Sequence, residues 1–151
     1  MNQTLPQLVK GYLEEQHMLQ LATVMNGMPW CSTVYYIHDN DFNFYWASLP
    51  SRRHSKEIRH NPQTAIAVAI KFVNGKQVVG VQAEGLTTEL DNPKSIRQIA
   101  DRYAKKFGRN TKWVEDIASS STQHRIYKFI PAALFLFDDA TYPGGQRQQV
   151  I

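Results

Sequence analysis

A single cysteine, Cys31, in a chain of 151 residues excludes an intrachain disulfide. Apolar residues make up 42% of the sequence, enough for a core at this length without covalent staples. No stretch approaches the roughly 20 apolar residues that a membrane span needs. The first residues, MNQTLPQLVKGYLEEQ, lack the apolar run of a signal peptide and are interrupted by Glu14 and Glu15. One cytoplasmic domain over residues 1–151 is the expectation that follows. The histidines (His17, His38, His54, His60 and His124) show none of the spacings of a zinc site, so no metal is expected. There is no P-loop, and no G-x-S-x-G elbow accompanies the serines before His124, which read as a polar loop.

What is present is a mild positive excess, net charge +4, concentrated at Arg52 to Arg59 and Arg102 to Lys112. Such an excess favours anionic partners without naming them. Leu5, Leu8, Val9, Tyr12 and Leu13 recur at helical spacing behind Thr4 and Pro6, predicting a helix over 5–16. MLQLATVM and PWCSTVYYI, joined by Asn26-Gly27, read as a β-hairpin, since both turn residues tolerate positive φ. A turn at Asp39-Asn40-Asp41 leads into FNFYWAS, and the first three strands are expected to form an antiparallel meander. Cys31, beside Trp30 in the second of them, reads as a core thiol.

Residues 53–60 read as a short helix ended by Asn61-Pro62. TAIAVAIKF then sets Ile66, Val68, Ile70 and Phe72 on one face against only alanines on the other. After a turn at Asn74-Gly75, QVVGVQAEGLTTEL carries Gly80 and Gly85, which suggest a bulge or bend. A helix from Asn92-Pro93 to Gly108 follows, then a further helical turn or two near Trp113. Finally RIYKFIPAALFLFDD is apolar on both faces from Ala132 to Phe137, so it is either deeply buried or covered by a partner. Some six strands with hairpin connections and peripheral helices predict a mainly β fold, a small antiparallel barrel. An open α+β sheet fits the same elements.

The most informative stretch is FNFYWASLPSRRHSKEIRHNP, where a strand ends near Ser48 and a helix opens with Arg52, Arg53, His54 and Lys56 in or near its first turn. A helix N-terminus already carries about half a positive charge and free N–H groups. Crowding cations there is unfavourable unless an anion shares the place, and a phosphate reconciles the two. A solvated basic turn accounts for the same residues. The second basic cluster, Lys105 to Lys112 around Phe107 and Trp113, matches a nucleic-acid surface less well than a solvated helix face, because both aromatics fall on the core side.

In its order of elements and residues the chain resembles the FMN-binding split barrels related to pyridoxamine-phosphate oxidase. The likeness is carried by PWCSTVYYI, NFYWAS, the Ser51-Arg52-Arg53-His54 turn with Ile58 and Asn61-Pro62, and GVQAEG. It covers residues 15–90 well and the last strand loosely. The resemblance implies a six-stranded split barrel that binds FMN and works as a homodimer. Ser32, Thr33 and Val34 would lie along the flavin ring and ribityl chain, with Ser48 close by, and Arg52, Arg53 and His54 would hold the phosphate. Gln82 would reach the ring, and Arg147 would cross from the partner. Two departures matter. His54 stands where many relatives have lysine, with Lys56 as a substitute charge, and the tail lacks the Arg-x-His pair that grips a pyridoxal substrate. The resemblance therefore implies a flavin-dependent oxidoreductase other than the vitamin B6 oxidase itself. A non-catalytic FMN or haem binder on the same barrel, a deazaflavin protein and a nucleic-acid-binding barrel are the competing readings.

Overall fold

A computed structural model describes residues 3–70, 74–75 and 78–151. Helix α1 (Leu5–Glu15) starts at Thr4, whose hydroxyl accepts from the Gln7 N–H while Gln7 returns the bond to the Thr4 N–H. The hairpin of β1 (Met18–Met25) and β2 (Met28–Tyr35) turns at Asn26 (φ 52°) and Gly27 (φ 74°), as their sequence requires. Then come β3 (Ile37–His38), β4 (Phe44–Ser48), α2 (Arg53–His60), β5 (Gln63–Ala69) and β6 (Val79–Glu89). Helices α3 (Pro93–Phe107) and α4 (Thr111–Ala118) precede β7 (Arg125–Asp138) and β8 (Gln148–Gln149). Phe72, expected on the Ile66 face, lies outside the described residues.

The strands form one antiparallel sheet in the order β2-β1-β5-β6-β7-β4-β3, with β8 added to β7. Tyr35 ends one edge of this sheet and Ile37 begins the other, so a single residue, Tyr36, joins the two edges. The sheet must curl to allow this, and the result is a half-barrel. Tyr36 is fully buried, and its hydroxyl donates to the Leu13 carbonyl at 2.8 Å, fixing α1 over the open side. Val9 and Leu13 of α1 fill the barrel with Leu19, Leu21, Phe44, Trp46, Ile66, Val68, Val81, Leu134 and Leu136.

The expected meander does not form: β4 pairs with β3 and β7, not with β2. The cause lies in β7, which is apolar on both faces and needs a strand on each side and cover on each face. Tyr127 and Phe129 point into the barrel, while Ile126 meets the second core under α3 and α4, with Tyr45, Ile99, Tyr103 and Ile117. Local alternation in FNFYWAS carries no trace of that distant partner. Cys31 is also corrected: it is exposed, because β2 is an edge strand and Cys31 faces outward from it.

The bend expected from the glycines falls between Glu84 and Gly85, where the register shifts opposite Pro131. A methyl group at Gly85 would overlap the carbonyl oxygen of Ile130 and press on the Pro131 backbone, neither of which can move aside. Gly85→Ala is therefore expected to lower stability by about 2 kcal/mol, in the range of overpacked cores. Urea unfolding measures it, and an unchanged midpoint would contradict the packing described.

Candidate functional site

Three of the four helices among the described residues are capped by a side chain: Thr4 for α1, Asn92 for α3 and Asn110 for α4. Helix α2 is not. Its N-cap is Arg52, which makes no side-chain cap bond, and its first turn brings Arg53 and His54. The free N–H groups and the partial positive charge of that helix end thus meet further positive charge instead of an acceptor. The approach is held rigid. The Arg52 N–H donates to the Leu49 carbonyl at 3.1 Å, and Arg59 reaches back to the Pro50 carbonyl at 3.0 Å.

Arg53 is positioned from two directions. Its Nε donates to Glu57 Oε1 at 2.7 Å, and its guanidinium lies 4.1 Å from the centre of the Trp30 ring. Glu57 itself is 1% exposed and also accepts from the Thr23 hydroxyl. The Thr23 bond foremost, then Arg53, hold its carboxyl below the ordinary range against the opposing effect of burial. This buried network ties α2 to β1 and β2, and it leaves the outer edge of the half-exposed Arg53 guanidinium open.

His54, on the other side of the helix, is buried and shares a 2.8 Å hydrogen bond with Ser48 at the end of β4. Burial first, then the charge of Arg52, push its pKa down, while Glu57 opposes them. Thr33, Val34, Ser48, Arg52 and His54 line one cleft of about 320 Å³. All five are among the site residues expected from the sequence.

The remaining expected residues lie elsewhere. Arg53 and Lys56 line a second cleft, of about 480 Å³, between α2 and the β1–β2 turn, so Lys56 does not join His54. Ser32 sits between Trp30 and Val34 on the strand face opposite Thr33. Gln82 and Arg147 meet on the outer face of the sheet, in a cleft of about 380 Å³ floored by Ala22, Ala65 and Ala67. Thr33 links this face to the first cleft, since its hydroxyl donates to Gln20 Oε1 at 2.8 Å. Two further residues of the His54 cleft escaped sequence reading: Tyr103 of α3 and His124, just before β7. Tyr103 carried only a core signal, and it does both jobs: its ring packs against Trp113 while its edge walls the cleft.

Among the described residues no group of three His, Cys, Asp or Glu side chains is placed to hold a metal, and no helix is long and apolar enough to cross a membrane.

A curled antiparallel half-barrel with peripheral helices is the split-barrel architecture, and solved structures match it across most of the chain. HutZ, the heme storage protein from Vibrio cholerae, superposes with a TM-score of 0.71 at 18% identity, covering 85% of this chain and 92% of its own. An FAD-binding protein from Mesorhizobium loti gives 0.65 at 21% identity, covering 82% of this chain and 87% of its own. The chain belongs to the pyridoxamine 5'-phosphate oxidase family, whose model matches residues 5–137. Among sequence relatives, the UPF0306 protein plu4501 of Photorhabdus laumondii is 28% identical over 102 residues, 67% of this chain and 71% of that one.

Proposed function

We propose that this chain binds FMN with the phosphate at the N-terminus of α2 and works as a flavin-dependent oxidoreductase in a homodimer. The observation that carries this reading is the uncapped, cationic start of α2 beside the His54 cleft. A phosphate supplies the acceptor that the N–H groups lack and the negative charge that Arg52 and Arg53 lack. The residues present fit such a group: the Arg52 guanidinium, the Ser48 hydroxyl and the helix dipole meet at the His54 cleft, and Arg53 adds its charge from the adjoining face of the same helix end. Bound there, a flavin supplies hydride transfer, and the protein contributes position and electrostatics. Val34, Tyr35 and Tyr103 give the cleft apolar walls. The family match and the FAD-binding neighbour support a flavin; the HutZ neighbour makes haem the ligand to test against it.

A second copy is needed because one is not enough. About 320 Å³ is the lower end of the roughly 300–1,000 Å³ of ligand pockets, so the cleft covers only part of a flavin. Gln82 and Arg147 stand on the open outer face, apart from His54 within one chain. A two-fold partner laid on that face would bring one copy's outer wall to the other's cleft, and would cover Leu86, which is 49% exposed. The absorption spectrum of protein supplied with FMN and haem together tests the ligand. Bands near roughly 375 and 450 nm are expected on the protein fraction, as for a flavin. A Soret band without them would replace FMN by haem.

A further inference from the structure

His54 is an unusual residue to find buried among cations. It sits in the first turn of α2, where the helix dipole, Arg52 and Arg53 all disfavour a further positive charge. Its only hydrogen-bond partner among the described residues is the neutral Ser48. The groups around it are Arg52 and Glu57 from its own helix, Ser48 from β4, Tyr35 from β2, Tyr103 from α3 and His124 before β7, while Arg53 is turned to Trp30 on the other side of the helix. Of the acids only Glu57 belongs to this set, and its carboxylate is engaged by Arg53 and Thr23. Tyr103 is pushed up to about 12 by burial and stays a neutral phenol. The imidazole is therefore neutral near pH 7 in the free protein, with burial and Arg52 both acting against its proton.

An arriving phosphate reverses that balance. It brings negative charge to the same helix end and offsets Arg52. We propose, resting on the flavin reading above, that FMN enters this cleft together with one proton, taken up by His54, so that affinity is governed by pH through a single imidazole. In the neutral ring Nε2 accepts from the Ser48 hydroxyl, and the proton, supplied by solvent, joins Nε2. Both nitrogens of the resulting imidazolium donate, so Nε2–H donates to Ser48 Oγ. The Ser48 hydroxyl hydrogen is then released to donate to an anion. His54 and Ser48 thus act as a pair that presents donors only when a phosphate is there to accept.

The sign follows. Uptake of a proton on binding makes FMN affinity fall as pH rises, by up to about tenfold per unit while the linkage is complete. Below the ordinary phosphate ionisation, near pH 6, the ligand's own second proton opposes the trend. The test is calorimetric titration of the full chain with FMN at pH 7.0, in buffers of different ionisation enthalpy. Fluorescence-quenching affinities from pH 5.5 to 9 accompany it, with riboflavin as the ligand lacking phosphate. Net proton uptake is expected for wild type with FMN, none with riboflavin, and a flatter affinity profile for His54→Lys and His54→Gln. His60→Gln, at an exposed histidine outside the cleft, is expected to keep the wild-type profile. FMN binding with no proton uptake, or with the same pH profile in wild type and both His54 variants, would overturn the coupling and leave the flavin reading standing. Failure of FMN to bind at any pH would overturn both. The proton count on wild type decides the matter even if a variant does not fold.

Discussion

Replacing Arg53 by alanine is expected to weaken FMN binding by roughly ten- to a hundredfold, the equivalent of one charge-assisted hydrogen bond to phosphate. Riboflavin affinity should change little. The same substitution is expected to cost stability, because it takes a partner from the Glu57 carboxylate, which is 1% exposed. Breaking a fully buried ion pair costs about 3–5 kcal/mol. Arg53 is itself half exposed and Thr23 still serves Glu57, so about 2 kcal/mol is the expectation here. Glu57→Gln separates the two roles: it loosens Arg53 without removing its charge. Urea unfolding and FMN titration of both variants give the answer. Equal loss of FMN and riboflavin in Arg53→Ala would make Arg53 a support of α2 and no more.

Deleting residues 142–151 is expected to have the other large effect, converting a dimer to a monomer and weakening FMN by more than tenfold. Tyr142 and Val150 pack against the barrel core, and β8 covers the edge of β7 at Phe135 and Leu136. The segment also carries Arg147 to the outer face beside Gln82. An interface of dimer size depends on a few well-packed anchors, so loss of this wall should be felt in both readouts. Arg147→Ala keeps β8 and should weaken FMN while leaving the dimer intact. Light scattering and FMN titration are the measurements. A full-length monomer that binds FMN tightly would sink the shared site, and a deletion dimer of undiminished affinity would remove Arg147 from it.

What could be read from the sequence was local. Asn26-Gly27 specifies its turn through backbone angles, Thr4 and Asn92 announce helix starts, and Asn61-Pro62 ends α2 one residue after His60. Pairing of β4 with β7 joins residues some eighty positions apart, and nothing near Trp46 encodes it except apolarity on both faces. The site divides along the same line. Arg52, Arg53 and His54 were visible because their charge conflicts with the helix end they occupy. Their different fates were not: Glu57 lies at i+4 from Arg53, a spacing open to inspection, but only packing against β1, where Thr23 bonds it, buries the Glu57 end of that pair. His124 reaches the cleft from a segment whose serines and threonines signalled a loop, and only the fold brings it beside Ser48.

The central claim is that the start of α2 holds a phosphate, and the ratio of FMN to riboflavin affinity in the wild-type chain tests it most directly. The two ligands share the isoalloxazine ring and differ by the phosphate alone. Two or more charge-assisted bonds at Arg52, Arg53 and the helix N-terminus correspond to a preference for FMN of about a hundredfold or more at pH 7 and low salt, shrinking as salt rises. Equal affinities for the two, unchanged by salt, would contradict the account and leave the cations of α2 as a solvated surface.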